Sequence, residues 1–184
     1  MNNLNYGVIG NGRSAALVSD KGSIDWCCLP EFDSPSVFAR LLDTEKGGFF
    51  SIEVDDSYSI SQKYILRTNV LCTEFRSDQG TFEVIDFMPR YKLFDNDYFA
   101  PAEIYRYIKH ITGTPAFKVR YCPKFNYARE LVELLARKVR AKSERSSLPA
   151  TASVAIAVLI VFATPERSTT HLWRTPSQAD SIWP

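Results

Sequence analysis

Short apolar runs separated by turn residues recur along most of this chain, and this pattern constrains its fold more than any other feature. Residues 15–19 and 24–29 are two such runs, while Phe50, Ile52 and Val54 alternate with polar residues, as in a strand with one buried face. Strands spaced about 8 to 12 residues apart, with turns between them, are typical of all-β sandwiches and barrels. The pattern predicts a mainly β domain, an antiparallel β-sandwich.

Several further secondary-structure elements are predicted from the local sequence. Further strands are predicted at residues 58–66, 69–75 and 81–87. Residues 77–80, Ser-Asp-Gln-Gly, have the composition of a hairpin turn between the last two strands. Residues 117–122 are predicted to pair with a strand over residues 104–111. A short helix is predicted near residues 35–42, with a proline in its first turn.

The composition of the chain changes near residue 130. All eight glycines and all nine tyrosines precede that position, and the last 54 residues contain no Gly, Asn or Tyr. We predict a β-sandwich domain over residues 1–128 and an atypical tail over residues 129–184. In the tail, leucines on one stripe predict a helix over about residues 129–142. The apolar run 152–163 is shorter than the roughly 20 residues that span a bilayer, so we expect a buried segment and no membrane anchor.

Charge and cysteine content exclude several classes of function. The chain has 22 Lys and Arg against 21 Asp and Glu, so no basic face for nucleic acid is expected. The four cysteines and two histidines show no metal-ligand spacing: Cys27, Cys28, Cys72, Cys122, His110 and His171. We expect reduced, mostly buried thiols, no metal and no cofactor. The first residues lack the regions of a signal peptide, so a cytoplasmic protein is expected.

A glycine-rich segment near the amino terminus has the spacing of a dinucleotide-binding loop. Gly10, Gly12 and Ala15 follow an apolar run in a G-x-G-x-x-A pattern, in which backbone can approach a pyrophosphate at a helix amino terminus. The turn residues 20–22 leave only about five residues for that helix, which is far below the average helix length. We therefore interpret the segment as a tight turn between strands.

Three carboxylates cluster in the sequence around two aromatic residues, with Asp25, Glu31 and Asp33 near Trp26 and Phe32. Two carboxyl groups that flank a sugar, with an aromatic platform nearby, are what glycoside hydrolysis requires. The alternative is a surface loop whose carboxylates cap turns and the predicted short helix, with Asp33 or Ser34 at the N-cap position before Pro35. Caps are the commoner role, and we favour that interpretation.

One further carboxylate interrupts an apolar run. Asp86 lies near the end of the strand predicted at residues 81–87, where a polar group needs a hydrogen-bond partner. We expect that partner to be nearby backbone. No Ser/His/Asp arrangement and no phosphate-binding loop can be assembled from the remaining residues.

Several segments of the chain together resemble one known family. They are residues 9–13, 15–19, 22–26, 28–30, 32–39, 64–75, 86–89, 106–113 and 123–127. In this order, over about residues 5–128, they resemble the trehalase-like N-terminal domain of bacterial and archaeal glycoside hydrolase family 15 enzymes, which include glucoamylase and trehalase types.

The resemblance implies a specific architecture for intact enzymes. It implies an antiparallel β-supersandwich, a helical linker and an (α/α)6 barrel that hydrolyses α-glucosidic bonds with inversion, using a glutamate acid and a glutamate base. No position of this chain matches the catalytic residues of the barrel, so none is assigned here. In intact relatives Trp26, Phe32 and Asp33 are expected to border the substrate cleft. The implied partners are the barrel and an α-glucoside or oligosaccharide.

The chain departs from the family pattern in two places and ends its agreement early. Asn11 stands where the family has an acidic residue, and Asn126-Tyr127-Ala128 stands where Asp-Tyr-Gly is usual. After residue 130 no further agreement is found. We expect either a truncated or frame-shifted remnant or a genuine but unfamiliar extension.

The residues leave three hypotheses for function. The first is a non-catalytic N-terminal module of a family 15 hydrolase, which supports the barrel and exposes an apolar face when the barrel is missing. The second is a stand-alone carbohydrate-binding module that uses aromatic residues such as Trp26, Phe32 and Tyr91. The third, which we favour least, is an enzyme that uses the carboxylates of residues 25–33.

Overall fold

The computed structural model describes residues 5–94 and 97–129, most of which form antiparallel β-strands. The strands are β1 (Tyr6–Gly10), β2 (Ala15–Ser19), β3 (Ile24–Cys28), β4 (Ser36–Phe38), β5 (Phe49–Glu53), β6 (Ser59–Tyr64), β7 (Leu71–Ser77), β8 (Gly80–Phe87), β9 (Tyr91–Lys92), β10 (Tyr98–Phe99), β11 (Tyr105–Gly113) and β12 (Lys118–Cys122). One four-residue helix, α1 (Phe125–Ala128), follows the last of these strands. The mainly β prediction is confirmed.

The strands form two larger sheets and one short hairpin. The first sheet has the order β1-β2-β3-β5-β12, and β4 pairs with β3 beside that path. The second sheet has the order β11-β8-β7-β6, and β9 pairs with β10 as a separate hairpin. The turn predicted at residues 77–80 is confirmed, because Ser77 pairs with Gly80 at the tip of the β7–β8 hairpin. Two intervening residues make this the tightest common hairpin connection.

The two sheets share an apolar core. One buried cluster joins Ile9 and Phe50 of the first sheet to Leu71 of the second. A second cluster joins Ile52 of the first sheet to Phe75 and Phe82 of the second. Since side chains alternate between the faces of a strand, each sheet turns one face toward the other. The sandwich architecture follows from this packing.

The short helix predicted near residues 35–42 is wrong. Residues 36–38 instead form β4, in which Phe38 pairs with Cys27 of β3, and turns follow it. Ser36, Val37 and Phe38 are all buried, so both sides of this short segment are covered. An extended strand can bury consecutive side chains on its two faces while its backbone bonds to β3.

The predicted pairing of the last strand is also wrong. β12 pairs with β5 in the first sheet rather than with β11 in the second. The ring of Tyr121 packs edge-on against Phe38 and Phe50, with centroid distances of 5.9 and 5.4 Å. Phe38 and Phe50 are core residues, and a hairpin with β11 would forgo the contacts that Tyr121 makes with them. These aromatic contacts favour the pairing of β12 with β5.

The topology sorts the connections between two ends of the sandwich. Residues 11–14, 29–35, 65–70, 88–94, 97–104 and 123–129 lie at the end where β1, β3, β6 and β8 finish and β11 begins. The turns 20–23, 54–58, 78–79 and 114–117 lie at the opposite end. The predicted helix over 129–142, the apolar run 152–163 and all but one residue of the predicted tail fall outside the described residues. The division at residue 128 stays a prediction.

Candidate functional site

Asp25 lies in the interior of the first sheet and is fully engaged there. Its carboxylate accepts hydrogen bonds from Ser23 Oγ at 2.6 Å, from Arg40 Nε at 2.9 Å and from the Tyr6 hydroxyl at 3.1 Å. Only 5% of the residue is exposed. Three donors, one of them a guanidinium, satisfy the carboxylate in its charged form. Asp25 therefore has the environment of a structural ion pair.

Glu31 lies at the surface and has a different partner. Arg13 Nη2 donates to its carboxylate at 2.8 Å, and both side chains are about half exposed. The backbone of residues 31–34 forms a turn, in which Ser34 N donates to the Glu31 carbonyl at 3.1 Å and Ser34 Oγ accepts from Glu31 N at 3.0 Å. The side chain that accepts a backbone hydrogen bond in this turn is thus the Ser34 hydroxyl, while the Glu31 carboxylate pairs with Arg13 and the expected helix is absent.

The structure separates the predicted carboxylate cluster. Asp25 is held inside the sheet by Arg40, while Glu31 is held at the surface by Arg13. Asp33 is exposed on the connection between β3 and β4. A glycosidase needs two carboxyl groups that both face the scissile bond, whereas these groups belong to separate networks.

The two aromatic residues of the predicted cleft border also differ in environment. Trp26 is partly buried on β3, and its ring centroid lies 6.0 Å from that of Tyr127 in α1. Phe32 is 62% exposed on the same connection as Asp33. Phe32 and Asp33 therefore face solvent, while α1 covers part of Trp26.

The Gly10–Ala15 segment forms the connection between β1 and β2, as the tight-turn interpretation expects. Asn11 Oδ1 accepts hydrogen bonds from the backbone N–H groups of Arg13 and Ser14 at 3.0 and 3.1 Å. Asn11 Nδ2 donates to the Pro101 carbonyl at 2.8 Å. This last bond needs an N–H donor, which a carboxylate lacks. The departure from the family's acidic residue thus has a structural role, since it ties the turn to the connection before β11.

A groove of about 440 Å³ lies beside this turn. Gly12, Asn69, Arg90 and Tyr91 are among the residues that line it. The Arg90 guanidinium carbon lies 4.3 Å from the ring centroid of Tyr98, a cation–π distance. Gly12 has a φ of +86°, and a Cβ there would lie 2.8 Å from Arg90 Nη1. The absence of a side chain at Gly12 therefore makes room for Arg90.

The most completely buried ion pair among the residues that the structure describes is one that the sequence did not reveal. Arg106 on β11 donates from Nε to Asp86 Oδ1 at 2.7 Å and from Nη2 to Asp86 Oδ2 at 3.0 Å. The same guanidinium donates to the carbonyl of Phe50 in the first sheet and to that of Gly22 in the turn between β2 and β3. The prediction that Asp86 bonds to backbone is wrong. Asp86 instead holds an arginine that connects the two sheets.

Burial and the Arg106 guanidinium act in opposite directions on the pKa of Asp86. Burial raises the pKa of its carboxyl above the ordinary value, and the Arg106 guanidinium lowers the pKa and so opposes that shift. Asp86 is 0% exposed and Arg106 is 1% exposed. Neither can meet a substrate at the surface, so the pair serves the fold. An Asp in one apolar strand and an Arg in another are the only sequence signals of this pair.

Tyr6 should make the stability of the chain fall at alkaline pH. Burial, followed by the charge of Asp25, raises its pKa to about 12, whereas an unfolded tyrosine titrates at about 10. Above pH 10 the unfolded chain loses this proton first, so the stabilisation present below pH 10 is lost as the pH rises toward 12. Urea unfolding of wild type and Tyr6→Phe at pH 9 and pH 11 measures this, and we expect the smaller pH-dependent loss in Tyr6→Phe. Equal losses in both proteins would contradict it.

The cysteines are free thiols, as expected. Cys27, Cys28 and Cys72 are buried and Cys122 is half-buried. Burial raises the pKa of Cys27, Cys28 and Cys72, which disfavours the nucleophilic thiolate. Among residues 5–94 and 97–129, no group of three His, Cys, Asp or Glu side chains could hold a metal ion. No helix in the same part of the chain is long and apolar enough to cross a membrane.

Comparison with known families gives one match over most of the chain. A family model described as trehalase-like, N-terminal, matches residues 5–159. The match includes the sandwich and continues past residue 128. No solved structure matches the chain.

Several trehalases of archaea and bacteria are similar in sequence to this chain. A trehalase of Thermoplasma volcanium is 37% identical over 130 residues, which cover 68% of this chain and 20% of that protein. Trehalase 1 of Sulfolobus acidocaldarius is 51% identical over 83 residues, 45% of this chain and 14% of that protein. A trehalase of Mycobacterium tuberculosis is 26% identical over 136 residues, 67% of this chain and 20% of that protein. The chain spans a fifth or less of the length of these relatives.

Proposed function

This chain belongs to the family of trehalase-like N-terminal domains, and we propose that it acts as a non-catalytic module of a glycoside hydrolase that cleaves α-glucosidic bonds. Its role is to pack against a catalytic domain of the (α/α)6 barrel type and to border the substrate cleft. Phe32 and Asp33, which face solvent on one connection, are suited to that border, and Trp26 supports the neighbouring α1.

One observation carries the proposal: the match to trehalases covers only a fifth or less of their length, in a family defined by the amino-terminal part. The environments of the carboxylates support it. Asp25 is bound by Arg40 inside the sheet and Glu31 by Arg13 at the surface, so these two carboxylates do not form the pair that hydrolysis requires. The positions needed for hydrolysis therefore belong to the remainder of such an enzyme.

The carbohydrate-binding hypothesis has less support. Of the three aromatic residues it would use, Trp26 is partly covered by Tyr127, and Tyr91 belongs to the groove beside Arg90. A sugar platform needs an accessible aromatic face. Of these three residues, only Phe32 and Tyr91 are at least half exposed. Titration calorimetry with trehalose and maltooligosaccharides separates the two roles, and we expect no saturable heat.

The direct test is a hydrolysis assay of the purified 184-residue chain. We expect incubation with trehalose, maltose or starch to release no glucose above the blank, while the Thermoplasma volcanium trehalase serves as the positive control on trehalose. Glucose release by the chain, abolished by Asp33→Asn, would overturn the non-catalytic role. Release that survives Asp33→Asn but not Glu31→Gln would do the same and would identify a different acid.

A further inference from the structure

Exposed apolar side chains gather at one end of the sandwich. We call this the aromatic end, and it comprises residues 29–35, 65–70, 88–94, 97–104 and 123–129. Eight of its large apolar residues are each at least 44% exposed: Phe32, Leu66, Tyr91, Leu93, Phe94, Tyr98, Phe99 and Tyr127. Phe94 is 95% exposed and Leu66 is 84% exposed. A concentration of this kind at one place is typical of an interaction surface.

The opposite end of the sandwich has a different character. Its turns expose Asp20 and Lys21 between β2 and β3, Asp55 between β5 and β6, and Asp78 between β7 and β8. Phe117 also lies at this end, but its ring packs against Phe82 with a centroid distance of 4.8 Å. The two ends of the sandwich therefore differ in their apolar exposure.

The aromatic end carries charges of both signs, with Glu31, Asp33, Asp97 and Glu103 as its acidic residues. Arg67, Arg90 and Lys92 are exposed there and form no ion pair with another described residue. Protein interfaces are enriched in aromatic residues and arginine relative to the rest of a protein surface. The exposed aromatic residues and Arg67 and Arg90 therefore have the composition of a protein interface.

The chain also leaves the sandwich at this end. β12 leads into α1, where Tyr127 N donates to Ser36 Oγ at 3.0 Å and the Tyr127 ring packs on Trp26. The described part of the chain ends one residue after α1, at Arg129. In relatives such as the Thermoplasma volcanium trehalase, the match covers 20% of the protein, so most of that protein's mass lies outside it.

We propose that the aromatic end is the surface on which the catalytic domain of a trehalase-type enzyme docks, with Phe94 and Leu66 as its main apolar anchors. The inference rests on the proposed function, and it adds the location and the residues of the contact. Docking here buries the most exposed apolar side chains of the described residues and leaves the polar end in solvent. It also places Phe32 and Asp33, on the same end, beside the contact.

The test measures binding of the full chain to the part of the Thermoplasma volcanium trehalase that lies beyond the matched segment. Cooperative thermal unfolding verifies that this partner is folded, and biolayer interferometry gives the Kd. The variant Leu66→Ser/Phe94→Ser is expected to weaken binding at least about 30-fold, the effect of losing one interfacial hot spot. The control Leu42→Ser removes a leucine that is 65% exposed away from this end, and a change within about 2-fold is expected.

The outcomes separate this inference from the proposed function. A wild-type chain that does not bind the folded partner overturns the packing role, and the docking surface with it. Binding that the double variant and Leu42→Ser affect equally overturns the docking surface alone. If light scattering shows dimers of the wild type that the double variant abolishes while its affinity for the partner is unchanged, the occupant is a second copy and the proposal is overturned.

Discussion

Replacement of Arg106 by methionine is expected to lower the free energy of unfolding by about 3–5 kcal/mol, the cost of breaking a buried ion pair by removing one partner. The change leaves the Asp86 carboxylate without its guanidinium at a position that is 0% exposed. It also removes the donors to the carbonyls of Phe50 and Gly22. Because one carbonyl lies in β5 of the first sheet and the other in the turn between its strands β2 and β3, the loss weakens the contact between the two sheets. Urea unfolding followed by circular dichroism measures the effect.

Two control variants separate the buried charge from other causes. Arg120→Met breaks an ion pair with Glu53 in which the arginine side chain is 50% exposed, and it should cost no more than about 1 kcal/mol. Asp86→Asn/Arg106→Met removes both buried charges and should be more stable than Arg106→Met. A double variant as unstable as the single one would show that the carbonyl bonds, not the charge, dominate.

The pH dependence of Arg106→Met supplies a signature that a simple packing defect lacks. Without the guanidinium, burial alone acts on the Asp86 carboxyl and favours its neutral form in the folded state. The folded variant then binds a proton that the unfolded chain has lost near neutral pH, so its stability relative to wild type should recover as the pH falls. A deficit that is constant between pH 7 and pH 4.5 would contradict this assignment.

The sequence predicted correctly those features that are fixed by contacts between neighbouring residues. The β7–β8 hairpin was predicted correctly, because a two-residue connection that ends in glycine sets the register of the two strands it joins. The tight turn after Gly10 was correct for a similar reason, since Asn11 and Gly12 satisfy and shape it within four residues. These features depend on contacts between neighbours in the sequence.

The errors all concern contacts between residues far apart in the chain. Residues 36–38 became a strand because β3 and the core cover them, and β12 joined the first sheet because Tyr121 packs on Phe50. The partner of Asp86 lies 20 residues away on β11, and its role depends on the Phe50 carbonyl of the other sheet. No periodicity in the sequence encodes such partners. The aromatic end could not be predicted for the same reason. It consists of connections that are far apart in the sequence and that the topology brings together.

Replacement of Phe82 by alanine is expected to destabilise the chain by about 3–5 kcal/mol, the usual cost of truncating a buried aromatic side chain. Phe82 is 1% exposed, and its ring stacks on Phe75 with a centroid distance of 4.7 Å and an interplanar angle of 1°. Tyr58 and Phe117 pack on the same ring, so alanine leaves a cavity lined by three aromatic residues. Phe82→Leu retains much of the volume and should lose less.

Phe94→Ala is the matched control, because it makes the same truncation at a side chain that is 95% exposed. It should change the free energy of unfolding by no more than about 0.5 kcal/mol.

The order of the two effects should reverse when binding to the catalytic partner is measured instead of stability. Phe82→Ala, assayed below its lowered Tm, should bind the catalytic partner with nearly wild-type affinity, since Phe82 lies in the core toward the polar end, whereas truncation at Phe94 should weaken binding. Loss of binding in both variants at a temperature where both are folded would mean that the contact extends beyond the aromatic end.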